Sequence, residues 1–226
     1  MPFQTSDSVR RALILDFDGV LVDTEALNFR SWDQAFHELL GIELPGSYKQ
    51  IVGLSLTQIY ALWCNSANRD VGILSVEIKK TLLNRKNELF FAWVPDHLQA
   101  MPGSVELIQR AYSLGWYVAL ASRARRLRVH RTLEQIRFPV QFDIILGTED
   151  IVDLATDRKI HSRVGQMFGI TSTECVVIED STSGIADACE AGIGRVIGLT
   201  STFDRTALIT AGAHEVVDHL GDVQVT

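Results

Sequence analysis

Two carboxylates separated by one residue, Asp16 and Asp18, stand directly after the apolar run Ala12-Leu13-Ile14-Leu15 and are followed by Gly19-Val20-Leu21. A fully buried strand is built from apolar residues, and an ionised carboxylate without a partner is expensive there. Two acids at the end of such a strand must therefore face a cleft, a cation or both. Three other segments place polar groups in the same kind of position. Ser122 closes the run Val118-Ala119-Leu120-Ala121, Glu179-Asp180 closes Val176-Val177-Ile178, and Arg158-Lys159 opens a helical stretch. In an open parallel sheet, ligands bind beyond the carboxyl ends of the strands, so these groups would share one rim. A carboxylate can act as a nucleophile, and a second one can act as a general acid and base. Hard oxygen donors of this kind suit Mg2+, which is held by a few carboxylates together with waters and phosphate oxygens. The chemistry these residues predict is attack of a carboxylate on a phosphate, with Mg2+ between protein and substrate.

The elements that must position them follow from the apolar pattern. Strands are predicted at Ala12–Leu15, Tyr117–Ala121, Asp143–Leu146, Cys175–Ile178, Arg195–Gly198 and Glu215–Val217. Helical stretches lie between them at Val105–Leu114, Leu127–Ile136, His161–Phe168, Gly184–Ala191 and Asp204–Ala211. Alternation of this kind implies an α/β protein with a parallel sheet covered by helices on both faces. From Thr24 to Leu98 the alternation stops, and the pattern predicts helices at Glu25–Leu40, Leu56–Asn65 and Val76–Trp93. The organisation expected is a Rossmann-like core of residues 1–23 and 99–226, with residues 24–98 inserted as a helical cap. Hinges would lie near Leu21–Thr24 and Pro95–Pro102.

With 226 residues, 46% of them hydrophobic, the chain can bury a sizeable core. Its net charge of -7 argues against a nucleic-acid partner. No apolar run is long enough for a membrane span, and Met1–Arg11 lacks the apolar core of a signal peptide. Cys64, Cys175 and Cys189 show no paired spacing, so the expected setting is the reducing cytoplasm.

These motifs resemble the haloacid dehalogenase-like superfamily, in particular its phosphatases and its β-phosphoglucomutase-like (CbbY-like) group with a helical cap after the first motif. Asp16-Phe17-Asp18-Gly19-Val20-Leu21 is the specific part of the resemblance, Ser122 matches the second motif, and Glu179-Asp180 followed by Ser181-Thr182-Ser183-Gly184 matches the fourth. The resemblance implies that Asp16 forms an aspartyl-phosphate, while Asp18 protonates the leaving alcohol and then activates water. It implies Mg2+ held by Asp16, the backbone carbonyl of Asp18, Asp180 and Glu179, with Ser122 on the phosphoryl oxygens. The substrate class is a small phosphorylated metabolite, and the expected state is a monomer.

The match is incomplete in two places. The family carries a lysine before the helix that follows the third strand, and an ungapped alignment puts Ala155 there. Lys159, one helical turn on, is the expected substitute, with Arg158 behind it. In the cap, Asn28 stands where the sugar-phosphate mutases have a histidine, and Leu56 where they have an arginine after Gly53-Leu54-Ser55; Lys86 matches their cap lysine. A phosphatase is therefore expected ahead of a mutase, and a catalytically weak phosphate-binding protein is the remaining alternative. Arg123 and the cap pair Asn28 and Lys86 are substrate-contact candidates. The rest of the basic run, Arg125, Arg126, Arg128 and Arg131, reads as a solvated helix face. His161 is expected to be structural or exposed.

Overall fold

The computed structural model describes residues 10–51, 54–68, 72–150 and 160–226. The chain divides into two compact units, Met1–Asp23 with Gln99–Thr226, and Thr24–Leu98.

The first unit is an α/β sandwich. Its strands are β1 (Ala12–Leu15), β2 (Tyr117–Ala121), β3 (Ile144–Leu146), β4 (Cys175–Glu179), β5 (Arg195–Leu199) and β6 (Glu215–Val217). All strand pairs are parallel, in the order β3-β2-β1-β4-β5-β6. The register sets Leu13 opposite both Val118 and Val176. Alternation along the strands sends successive side chains to opposite faces, and both faces are buried. Ala12, Ile14, Ala119, Ala121 and Val177 join one core with Val164, Ile185 and Leu208, which come from α6 (Ile160–Phe168), α7 (Thr182–Glu190) and α8 (Arg205–Thr210). Leu13, Leu15, Val118 and Leu120 point the other way and are equally buried, as are Leu107 and Ile108 of α4 (Ser104–Ser113). Between β2 and β3 runs α5 (Arg126–Gln135).

β1 is flanked by β2 on one side and β4 on the other, so the strand order reverses there. That switch point leaves a crevice at the carboxyl ends of β1 and β4. Pairing continues just past the strands, with the Asp16 N–H donating to the Ile178 carbonyl at 3.1 Å and that of Ser122 to Leu146 at 3.1 Å. The chain leaves and re-enters this unit side by side: Val22 bridges to Ala100, and the Met101 N–H donates to the Leu21 carbonyl at 2.8 Å.

The second unit is helical, with α1 (Glu25–Leu40), α2 (Leu56–Ser66) and α3 (Val76–His97). Its core gathers Phe36, Ile59, Leu82 and Leu89 with Ile42, Leu44 and Leu74. Ser55 starts α2 through a capping box. Its Oγ accepts from the Gln58 N–H, and the Gln58 side chain accepts from the Ser55 N–H at 2.8 Å. Ser75 is the N-cap of α3, its Oγ accepting from the Ile78 N–H at 3.2 Å.

Several boundaries differ from the sequence expectation for identifiable reasons. α3 continues past Trp93 to His97, with Pro95 inside its last turn. A proline there removes only one backbone donor, and the Leu98 N–H still reaches the Val94 carbonyl at 3.0 Å. β3 begins one residue late because the Asp143 carboxylate accepts from the Val118 N–H at 2.8 Å, making Asp143 a side-chain partner of β2. Asp204 is an N-cap, accepting from Ala207 at 2.9 Å, so α8 starts after it.

Candidate active site

The carboxyl ends of β1 and β4 bring Asp16, Glu179 and Asp180 together. One carboxylate oxygen from each lies within 4.8 Å of the others. Glu179 and Asp180 are buried and Asp16 is half-buried. The backbone is shaped to permit this. Gly19 has φ +77°, and a Cβ there would come 1.9 Å from the Asp180 Oδ2. A Cβ on Gly184, in the first turn of α7, would come 2.2 Å from the Glu179 Oε1. Both glycines leave the room that the acids occupy.

Crowding acids in a buried crevice disfavours their charged forms. Asp16 is pushed well above the usual carboxylate range, first by burial and then by the nearby charges of Asp180 and Asp18, while Arg123 pulls it down. Glu179 is raised by burial and then by Asp16, against the opposing influence of Arg123 and a hydrogen bond from Ser181. Such a cluster is satisfied by a divalent cation. Three hard oxygen donors, cleared of Cβ atoms by two glycines, fit Mg2+.

Ser181 links the cluster to a cation. Its Oγ donates to Glu179 Oε2 at 3.1 Å, accepts from Arg123 Nη2 at 3.3 Å, and accepts from the Gly184 N–H at 3.0 Å as the N-cap of α7. Arg123 is otherwise exposed, at the end of β2. Ser122 beside it is buried, and its Oγ accepts from the Ala124 N–H at 3.1 Å. His161, expected to be structural or exposed, is 2% exposed, with Nε2 3.9 Å from Glu179 Oε1. Burial, reinforced by the Arg123 charge, lowers it to about 4, so it is neutral at pH 7. Its Nδ1 has no hydrogen-bond partner among the described residues.

Asp18 turns elsewhere. Both of its carboxylate oxygens accept from the guanidinium of Arg128, Oδ2 from Nη1 at 2.9 Å and Oδ1 from Nη2 at 2.7 Å. The side chains are 20% and 18% exposed, and the guanidinium also lies 6.0 Å from the centre of the buried Phe17 ring. The expectation that Arg128 sits on a solvated helix face is therefore corrected. α5 begins at Arg126, and its first turn lies against the loop that follows β1. Nothing in the local sequence signals this, because the partners are 110 residues apart. Arg126 does behave as a surface residue, pairing with Asp150 at 3.1 Å.

In the helical unit, Lys86 is 7% exposed. Its Nζ donates to Asn28 Oδ1 at 2.8 Å and lies 4.8 Å from the Phe90 ring centre and 5.6 Å from that of Trp32. Lys159, Arg158 and Ala155 lie outside the described residues, as does Gly53.

Residues 13–197 match the family model for haloacid dehalogenase-like hydrolases, and the chain belongs to that family. The phosphorylated carbohydrates phosphatase of Thermotoga maritima is 25% identical over 207 residues, covering 91% of this chain and 93% of that protein. Protein SUPPRESSOR OF QUENCHING 1, chloroplastic, of Arabidopsis thaliana is 27% identical over 223 residues; the match takes in 95% of this chain and only 20% of that longer protein. The crystal structure of β-phosphoglucomutase from Clostridium difficile superposes with a TM-score of 0.73 at 20% identity, over 96% of this chain and 94% of that one. The fold is thus the α/β fold of this family, and the chain is an enzyme of a family whose named members include phosphatases and phosphoglucomutases. Among the described residues no helix is long and apolar enough to cross a membrane.

Proposed function

We propose that the protein is a Mg2+-dependent phosphatase that hydrolyses a small phosphomonoester through an aspartyl-phosphate. The observation that carries this reading is the convergence of Asp16, Glu179 and Asp180 at the switch point, with Asp18 two residues beyond Asp16. Asp16 attacks phosphorus as the bond to the leaving oxygen breaks, and Asp18 delivers a proton to that oxygen. Asp18 then takes a proton from water as the water attacks the aspartyl-phosphate, which frees Asp16 and releases inorganic phosphate. Held by Asp16, the Asp18 carbonyl, Asp180 and Glu179, Mg2+ would neutralise the repulsion between Asp16 and the incoming phosphate. Ser122 and Arg123 are the proposed phosphoryl contacts. The further cation is assigned to Lys159.

Residues 24–98 would act as the cap over a catalytic core of residues 1–23 and 99–226. Lys86 and Asn28 would be its substrate contacts, and the name of the Thermotoga relative supports a phosphorylated carbohydrate as substrate. A monomer in the cytoplasm fits three free thiols at Cys64, Cys175 and Cys189.

The test is phosphate release from an aryl phosphate with Mg2+ present. Asp16→Asn should abolish it, and unchanged turnover would overturn the nucleophile assignment. Isomerisation that outpaces phosphate release and requires a bisphosphate activator would instead make the protein a mutase.

A further inference from the structure

The acid/base role proposed for Asp18 meets a geometric obstacle. A carboxylate acts on a leaving group by presenting an oxygen to it, and both Asp18 oxygens are engaged by one guanidinium at 2.7 and 2.9 Å. A planar fork matched to a carboxylate in this way is the strongest form of the ion pair, more directional than any contact a lysine could make. The pair is largely shielded from solvent and is backed by the buried Phe17 ring. Arg128 is held in the first turn of α5, and the Thr132 Oγ1 donates to its carbonyl at 2.9 Å. Asp16, in contrast, faces Glu179 and Asp180.

We propose that Arg128 is a positioning residue that holds Asp18 by both oxygens, and that the enzyme thereby discriminates between phosphate esters by how much their leaving group needs a proton. Esters of weakly basic leaving groups expel them unaided and are insensitive to the pair. Alkyl phosphates need an oxygen of Asp18 turned toward the leaving group, and the fork keeps both oxygens turned toward Arg128 until one of the two bonds opens. This inference rests on the phosphatase reading and adds a substrate preference to it.

The experiment compares kcat/KM for p-nitrophenyl phosphate and glycerol phosphate in the native protein, Arg128→Lys and Arg128→Met. General acid catalysis contributes about a hundredfold to ten-thousandfold to such a step. The aryl-to-alkyl ratio is therefore expected to fall by about tenfold or more in both variants, chiefly through faster turnover of the alkyl ester. Arg128→Lys keeps the charge but makes a single contact, so one Asp18 oxygen is released without emptying the site of its cation. It also decides the question if Arg128→Met does not fold. A purely structural role would lower both rates together and leave the ratio unmoved. An unchanged or larger ratio overturns the proposal while leaving the phosphatase reading intact. Native turnover equal to that of Asp16→Asn on both esters overturns the two together.

Discussion

Asp16→Asn should make the protein inactive and, in the absence of metal, more stable. The nearest carboxylate oxygens of Asp16, Glu179 and Asp180 lie within 4.8 Å. At an effective dielectric of about 20, two unit charges at that separation repel by about 3.5 kcal/mol. Burial first, and then this repulsion, raises both Asp16 and Glu179 above the usual carboxylate range. Asparagine keeps the size of Asp16 and an oxygen that can accept the Phe17 N–H bond, while its charge is gone. With Asp16 half-buried, about 1–3 kcal/mol of the repulsion should be recovered. For a chain of this size that is a rise in Tm of about 3–8 °C in chelator. A carboxyl whose folded pKa is raised favours folding below the unfolded value of about 4 and loses that contribution as pH rises toward the folded pKa. The advantage of Asp16→Asn should therefore grow as pH increases from about 4. Mg2+ at about a hundred times its Kd would add about 2.7 kcal/mol to the native protein, and less to a variant short of one ligand, so the difference should shrink or invert. Thermal melts with chelator and with Mg2+, at pH 5 and pH 8, read all of this. A variant less stable than the native protein in chelator at pH 8 would refute the view that the cluster is electrostatically strained and awaits a cation.

Gly184→Ala offers a test in which two effects oppose. An exposed helical glycine normally gains up to about 1 kcal/mol on becoming alanine, but here the new Cβ would meet Glu179 at 2.2 Å. A net loss of about 1–3 kcal/mol and a drop of about tenfold to a hundredfold in Mg2+ affinity by calorimetry are expected. His161, lowered to about 4, contributes stability that is full above its unfolded pKa and is lost as pH falls from 6.5 to about 4. The contribution is about 3 kcal/mol, opposite in sign to that of Asp16, so His161→Gln should flatten the acid side of a chelator-treated stability profile measured in urea. Lys86→Met should fill the space beside Phe90 and Trp32 with Tm little changed, yet raise KM about tenfold or more for a phosphorylated carbohydrate if Lys86 contacts substrate; an unaltered KM assigns Lys86 to packing alone.

Strand and helix order were legible because burial imposes periodicity. The apolar runs at Ala12–Leu15 and Cys175–Ile178 must be strands covered on both faces, and acids at their ends must lie on the rim of the sheet. That much makes Asp16, Glu179 and Asp180 readable as one site from the chain alone. Gly19 was visible as a glycine, but its reason was not: the space it leaves is taken by Asp180, 161 positions away in the chain. Asp18 shows the limit more sharply. Its residue type and its spacing from Asp16 point to proton transfer, and nothing nearby in the chain names a partner. Arg128 looked like one member of a basic run because helical periodicity reports only which residues share a face, not what that face meets. Lys86 matches a cap lysine in the sequence, but only packing beside two aromatic rings and Asn28 shows that its amine is buried. The sequence by itself determined the sheet, its order of helices and strands, and the acids on its rim, since these follow from local periodicity and the expense of burying charge. Only the tertiary structure decided which cation each acid meets, because ion pairing acts across space over a few ångströms and leaves no periodic trace along the chain.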